Sequence, residues 1–307
     1  MSSRSARGRL TGGRSSLCTR LRLLVVGLWG AVLGPASARA DEAAAKNGSI
    51  TNVDLAVAFA PTIVFAGESR FTKVFVVDEG PQRFLRFGSV AGINQSKILR
   101  DNPNVIPMEY LRYSAAALAF PPSLRKALVV GLGAGGYPRL IRQTFPRARV
   151  EVVELDEMVL DVARRFFGLK EDPRLSVRIA DGAQAFDDGR KWDLIFLDAY
   201  GDTDIPEALA TPEFFARVNQ ALTAGGVAVA NIGSADAQRE AQTVRNFAGA
   251  FPHCVRLHTP ESGNIITVGG AQLPKDLGAV ITALDRKNRL PFPLTEMAAR
   301  FKPCLQP

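Results

Sequence analysis

The stretch VVGLGAGGY, residues 129–137, constrains the fold more than any other part of the chain. Glycines at 131, 133, 135 and 136 follow directly on the apolar run KALVVG and end where a helix can begin. Strand, glycine turn and helix form the unit in which a backbone closes on a ligand at the carboxyl edge of a sheet, with the helix N-terminus facing it. Gly131, Gly133 and Gly136 meet the G-x-G-x-x-G spacing, which a purely structural tight turn can meet as well. The segments downstream extend the pattern. ARVEVVEL, LSVRIAD, DLIFLD and GGVAVANI read as strands, and YPRLIRQTF, DEMVLDVARRFFGL and ATPEFFARVNQAL as helices. Such alternation means parallel strands joined by right-handed crossovers, so the fold class is α/β with a doubly wound, mostly parallel sheet. HCVRLH and GNIITVGG read as an antiparallel pair closing one edge.

The ends of these strands carry the polar groups. Glu154 closes the second strand about 20 residues after the turn, where a carboxylate can accept from both hydroxyls of a ribose. NAD and S-adenosylmethionine would both use it. Asp181 and Gly182 close the third strand and Asp198 the fourth, at the same edge. An acid at the end of an apolar strand has to be solvated or bound, and a simple helix cap fits Asp156 better than Glu154. Upstream, FTKVFVVD and QRFLRFG flank the turn EGP and predict a small antiparallel sheet. Turn formers then fill Gly92 to Pro107, and MEYLRYSAAALAF reads as helical up to Pro121 and Pro122.

The formal charge of +8 raises nucleic acid as a partner, but its distribution argues against one. Seven arginines and no acid stand in the first 40 residues, which leaves 31 basic against 30 acidic residues in the rest. That first segment has the order of a secretory leader: arginines, an apolar stretch from Leu23 to Leu33, then PASARA with cleavage expected after Ala40. The expected organisation is a signal peptide over 1–40, a linker over 41–60, a small β-domain over 61–122, the α/β domain over 123–290 and a tail over 291–307. Export to the periplasm follows, with anchoring by an uncleaved leader as the alternative. The mature chain would keep Cys254 and Cys304, either bridged or as two free thiols. With only two His and two Cys in the mature chain, no metal site is expected.

From Glu68 to Ile232 the chain resembles the spermidine synthase (polyamine aminopropyltransferase) family. The motifs are ESRFTKVFVVDEGPQRFLRFG, NQS and a following Tyr, then VVGLGAGG, VEVVELD, IADGAQAF and WDLIFLDAYGD ahead of TPEFF, in the family's order and spacing. The resemblance implies a small β-domain followed by a Rossmann domain of the methyltransferase type. The implied co-substrate is decarboxylated S-adenosylmethionine or S-adenosylmethionine, the partner a small-molecule amine acceptor, and the assembly a homodimer. It implies co-substrate binding by Gln95, Gly131, Gly133, Gly135, Glu154, Asp181 and Gly182. Asp198 matches the family's proton acceptor, and Tyr110, Tyr200 and Asp202 are expected to bind the substrate, the last two from a loop over the site that runs from Tyr200 to Pro206.

Three positions depart from the family's pattern. Ala134 stands where an acid is usual within the glycine turn, Gly201 replaces the second acid three positions after Asp198, and Arg112 replaces an acid near the acceptor. A charge-assisted hydrogen bond is worth about 1.5–3 kcal/mol, so these changes work against a dication such as putrescine. A methyltransferase remains open, favoured by Ala134 and opposed by Val129, where such enzymes usually carry an acid. An exported, non-catalytic nucleoside-binding or scaffold protein also remains open. A dinucleotide oxidoreductase is the weakest reading, because nothing resembles a hydride-transfer site.

Overall fold

Four strands at the start of the described chain pair antiparallel in sequence order: Thr62–Glu68 (β1), Lys73–Glu79 (β2), Gln82–Phe87 (β3) and Asn94–Leu99 (β4). The computed structural model describes residues 60–201, 204–287, 290 and 292–305. The leader over 1–40, residues 41–59 of the linker and Asp202 lie outside the described residues. β2 and β3 are the two runs expected from the sequence, turned at Gly80, whose φ is 55°, and Pro81. The small sheet is nevertheless larger than expected. NQSKIL forms β4 within the stretch read as turn-rich, with Ser96 and Ile98 buried and Asn94 exposed. Its alternation is hidden in the sequence by the glycine, asparagine and proline on either side.

Helix Glu109–Ser114 (α1) leads into the second sheet. Its elements are Lys126–Val130 (β5), Gly136–Thr144 (α2), Arg149–Glu154 (β6), Glu157–Phe166 (α3), Leu175–Ile179 (β7), Trp192–Leu197 (β8), Pro212–Gln220 (α4), Leu222–Ile232 (β9), Ala237–Gly249 (α5), His253–His258 (β10), Ile265–Gly270 (β11), Leu277–Asp285 (α6), Thr295–Ala298 (α7) and Lys302–Pro303 (β12). The eight strands lie in the order β12-β10-β11-β9-β8-β5-β6-β7. Strands β9 to β7 along that order are parallel, and β11, β10 and β12 continue it antiparallel. The chain first winds outward from β5 through β6 and β7, then returns to the other side of β5 for β8 and β9. A crevice therefore opens between the carboxyl ends of β5 and β8, the switch point at which such sheets bind ligands.

Alternation along the strands builds a core on each face of this sheet. Ala127 and Val129 of β5 and Leu194 and Phe196 of β8 join one cluster, which includes Val74, Val76, Leu85 and Ile98 of the small sheet. Leu128, Val130, Ile195 and Leu197 point the other way, against Phe214, Phe215 and Val218 of α4 and Phe247 of α5. The helices start where their signals stand. Asp156 caps α3 by accepting from the Met158 N–H at 2.9 Å, and Thr211 caps α4 from just before Pro212.

The Cys254 and Cys304 sulfurs are bonded, which joins β12 to β10 across 50 residues of sequence. Among the described residues no helix is long and apolar enough to cross a membrane.

Candidate active site

Glycine is required at 131 because of what passes beside it. Its φ is 97°, and a Cβ there would stand 2.2 Å from the carbonyl oxygen of Asp198. The Asp198 N–H in turn donates to the Val130 carbonyl at 2.8 Å. The glycine turn and the end of β8 are thus pressed together across the switch point. Gly133 and Gly135 also have positive φ, and a Cβ on Gly182 would meet the Val130 side chain at 2.7 Å. Four of the residues singled out by sequence therefore share one edge with Asp198.

Glu154 is buried behind this turn. Its Oε2 accepts from the Leu132 N–H and its Oε1 from the Asp156 N–H, both at 2.9 Å. Burial pushes its pKa up against the pull of these backbone donors. A carboxylate offers about four acceptor sites, so ribose hydroxyls could add to its backbone donors. Asp181 is exposed and accepts from the Ala183 N–H at 2.8 Å, opening a 3₁₀ turn.

Asp198 is the hub of the site. The Tyr110 hydroxyl donates to its Oδ2 and the Asn231 amide to its Oδ1, both at 2.9 Å. Asn264 donates to the Asn231 side-chain oxygen at 2.9 Å, and the Tyr200 hydroxyl to the Asn231 carbonyl at 3.1 Å. Burial raises the Asp198 pKa to about 7, although both hydrogen bonds favour its carboxylate. Burial together with the charge of Asp198 drives the hydroxyls of Tyr110, Tyr137 and Tyr200 far above their ordinary range. They stay protonated donors, so Asp198 is the group of this network that changes charge near neutrality.

The small sheet supplies one wall. Ser96 Oγ on β4 accepts from the Ala134 N–H at 3.2 Å and lies 2.8 Å from where a Gly133 Cβ would be. Gln95 is half-buried on the same strand. Ala134 is itself buried, so the methyl that replaces the usual acid faces core rather than solvent. Arg112 and Glu261 both lie within electrostatic range of Lys97 on β4. Gly201 offers no side chain, and Asp204, three residues further on, accepts from the Ser234 hydroxyl at 2.6 Å.

Four contributors were not singled out by sequence: Ser96, Glu109, Asn231 and Asn264. Glu109 is buried and accepts from the backbone N–H groups of Glu261 and Ser262, at 3.0 and 2.7 Å, which fixes the β10–β11 turn against α1. Asn231 was open to the reasoning that found Asp198, since it too is polar near the end of an apolar strand, in VAVANI. Among the described residues no group of three or more His, Cys, Asp or Glu side chains could hold a metal ion.

Residues 114–259 match the spermine/spermidine synthase domain. The chain is 30% identical over 205 residues to a polyamine aminopropyltransferase of Chromobacterium violaceum, an alignment that covers 66% of this chain and 77% of that one. It is 30% identical over 198 residues to a polyamine aminopropyltransferase of Vibrio vulnificus, covering 62% of this chain and 66% of that one. Its fold is similar to the crystal structure of spermidine synthase from Thermotoga maritima, with a TM-score of 0.63 and 20% identity over 78% of this chain and 84% of that one.

Proposed function

The chain belongs to the spermine/spermidine synthase (polyamine aminopropyltransferase) family, and from that premise we propose that it transfers an aminopropyl group from decarboxylated S-adenosylmethionine to an amine acceptor. The observation that carries this reading is the buried Asp198 carboxyl at the switch point, pressed against the glycine turn and held near neutrality. The acceptor nitrogen attacks the propyl carbon next to the sulfonium, the carbon–sulfur bond breaks, and methylthioadenosine leaves as a neutral thioether. The proton shed by the new secondary ammonium passes to Asp198. A base with a pKa near the working pH is best suited to such a transfer.

The residues suit the co-substrate. Glu154 can take ribose hydroxyls beside its two backbone donors, Asp181 and Gly182 lie at the adjacent strand end, and Gln95 stands on the wall formed by β4. On the acceptor side Tyr110 holds Asp198, and Tyr200 is fixed to the Asn231 carbonyl. With no carboxylate at 134 or 201, a monoamine acceptor fits better than a dication.

Calorimetric titration with decarboxylated S-adenosylmethionine, S-adenosylmethionine and methylthioadenosine tests the reading. Tighter binding of the decarboxylated form is expected. Preference for the intact form would point instead to methyl transfer, and failure of all three to bind would remove the enzyme reading. Asp198→Asn should abolish turnover and leave methylthioadenosine affinity within about threefold. Equal loss of both would make Asp198 structural.

We further infer export to the periplasm through the leader over 1–40. The bonded Cys254–Cys304 pair supports it, since such bonds persist in oxidising compartments. Recovery from the periplasm of a chain beginning at Asp41 is the expected result, and an intact leader in the membrane fraction would show the anchored alternative. Self-association as a homodimer, read by sedimentation, is expected as well.

A further inference from the structure

At the opposite, amino edge of the same sheet the starts of β5, β6, β7 and β8 enclose a cleft of about 240 Å³. Strands of five or six residues at about 3.3 Å each separate it from the Asp198 crevice by roughly 17–20 Å. Its rim carries Lys126, Arg149, Arg174, Arg190 and Lys191, and its one acid is Glu151. That acid is already matched. Arg190 donates to it at 2.7 Å and Arg178 at 3.3 Å.

Arg190 is also paired with Asp188, and Arg174 lies within electrostatic range of Asp172. Lys191 donates to the Gln220 carbonyl, and Lys126 and Arg149 have no ion-pair partner among the described residues. Beyond its first 40 residues the chain holds 31 basic and 30 acidic residues, so this concentration of positive charge is local and not a sign of overall basicity. Trp192 forms part of the wall, beneath the Arg190 guanidinium at 5.0 Å. Its buried indole N–H has no acceptor. A buried donor without a partner is unusual in a native fold.

We propose that this cleft is a second ligand site that takes a small multivalent oxyanion, a phosphate or pyrophosphate group. Guanidinium forks match phosphate oxygens in paired hydrogen bonds, and a wall of unmatched cations focuses the field on such an anion. The volume is below that of a drug-sized pocket, about 300 Å³ or more, and accommodates a phosphate or pyrophosphate group and not a nucleotide base. The group could be free or the head of an anionic lipid.

Pyrophosphate titrated by calorimetry at constant ionic strength should bind the purified full chain at one site and shift its tryptophan emission. The double variant Lys126→Gln/Arg149→Gln, at exposed strand starts, should bind at least tenfold more weakly with an unchanged circular dichroism spectrum. Lys275→Gln/Lys302→Gln removes the same charge at exposed positions elsewhere and should bind as the parent does. Co-sedimentation with phosphatidylglycerol vesicles and not with phosphatidylcholine vesicles, lost in the first variant alone and without pyrophosphate binding, would assign the site to a lipid head. The proposal is overturned if neither probe binds, or if the two double variants behave alike.

Discussion

A carboxyl group with a pKa near 7 is half ionised where most enzymes work, and Asp198 owes that position to opposed forces: burial raises it, while Asn231 and Tyr110 restrain the rise. Removing a restraint has a signed consequence. Tyr110→Phe deletes one donor to the carboxylate, so the acidic limb of the kcat/KM profile should move to higher pH by about one unit, the size of a hydrogen bond to a charged group. An unmoved limb would mean that Asp198 does not set it. The same shift acts on stability. A carboxyl whose folded pKa lies above its unfolded value stabilises the fold while both states are protonated, below about pH 4, and that contribution is lost as pH rises through about 7. Residue-scale chemistry was partly legible in the sequence. Acids at strand ends stand out against apolar runs, which is how Glu154, Asp181 and Asp198 were found. The partners that tune them are neutral: Ser96 and Asn264 sit among turn formers and carry no periodic signal.

Among elements, β12 shows what sequence cannot disclose. Two residues, one of them proline, have no strand propensity to read. They pair with β10 because Cys304 is bonded to Cys254 and its N–H donates to the Cys254 carbonyl at 3.1 Å. Closing 50 residues of chain restricts the unfolded state, and such a bond contributes about 2–4 kcal/mol. Cys304→Ser should therefore lower the unfolding midpoint in urea with little change in methylthioadenosine affinity, since the bond lies at the sheet edge farthest from β7 and three strands from β8. A reductant should have the same effect on the parent and none on the variant. The central parallel strands β5, β8 and β9 were legible by contrast because they are buried on both faces along most of their length, which leaves near-continuous apolar runs between glycines and acids.

At the scale of the whole described structure, the two sheets share a core. Val74, Val76, Leu85 and Ile98 of the small sheet lie in one cluster with Val129, Val152 and Phe196 of the large one, and Phe65 of β1 meets Phe166 of α3 with ring centroids 5.5 Å apart. Arg83 of β3 adds a hydrogen bond to the Phe166 carbonyl at 3.0 Å. Residues 60–305 should accordingly melt in one calorimetric transition. Methylthioadenosine at about 100 times its Kd should stabilise that transition by about 2.7 kcal/mol, and a separate low-temperature transition would show the small sheet unfolding independently.

The grip of Glu109 on the β10–β11 turn couples two parts of the site that are distant in sequence. Glu109 and Tyr110 are neighbours on α1, so the turn and the hydroxyl on Asp198 ride on one lever. A displacement of that turn would tilt the lever, draw the hydroxyl away and leave the carboxyl holding its proton more tightly. The basicity of Asp198 would then follow the position of a turn far from it in sequence.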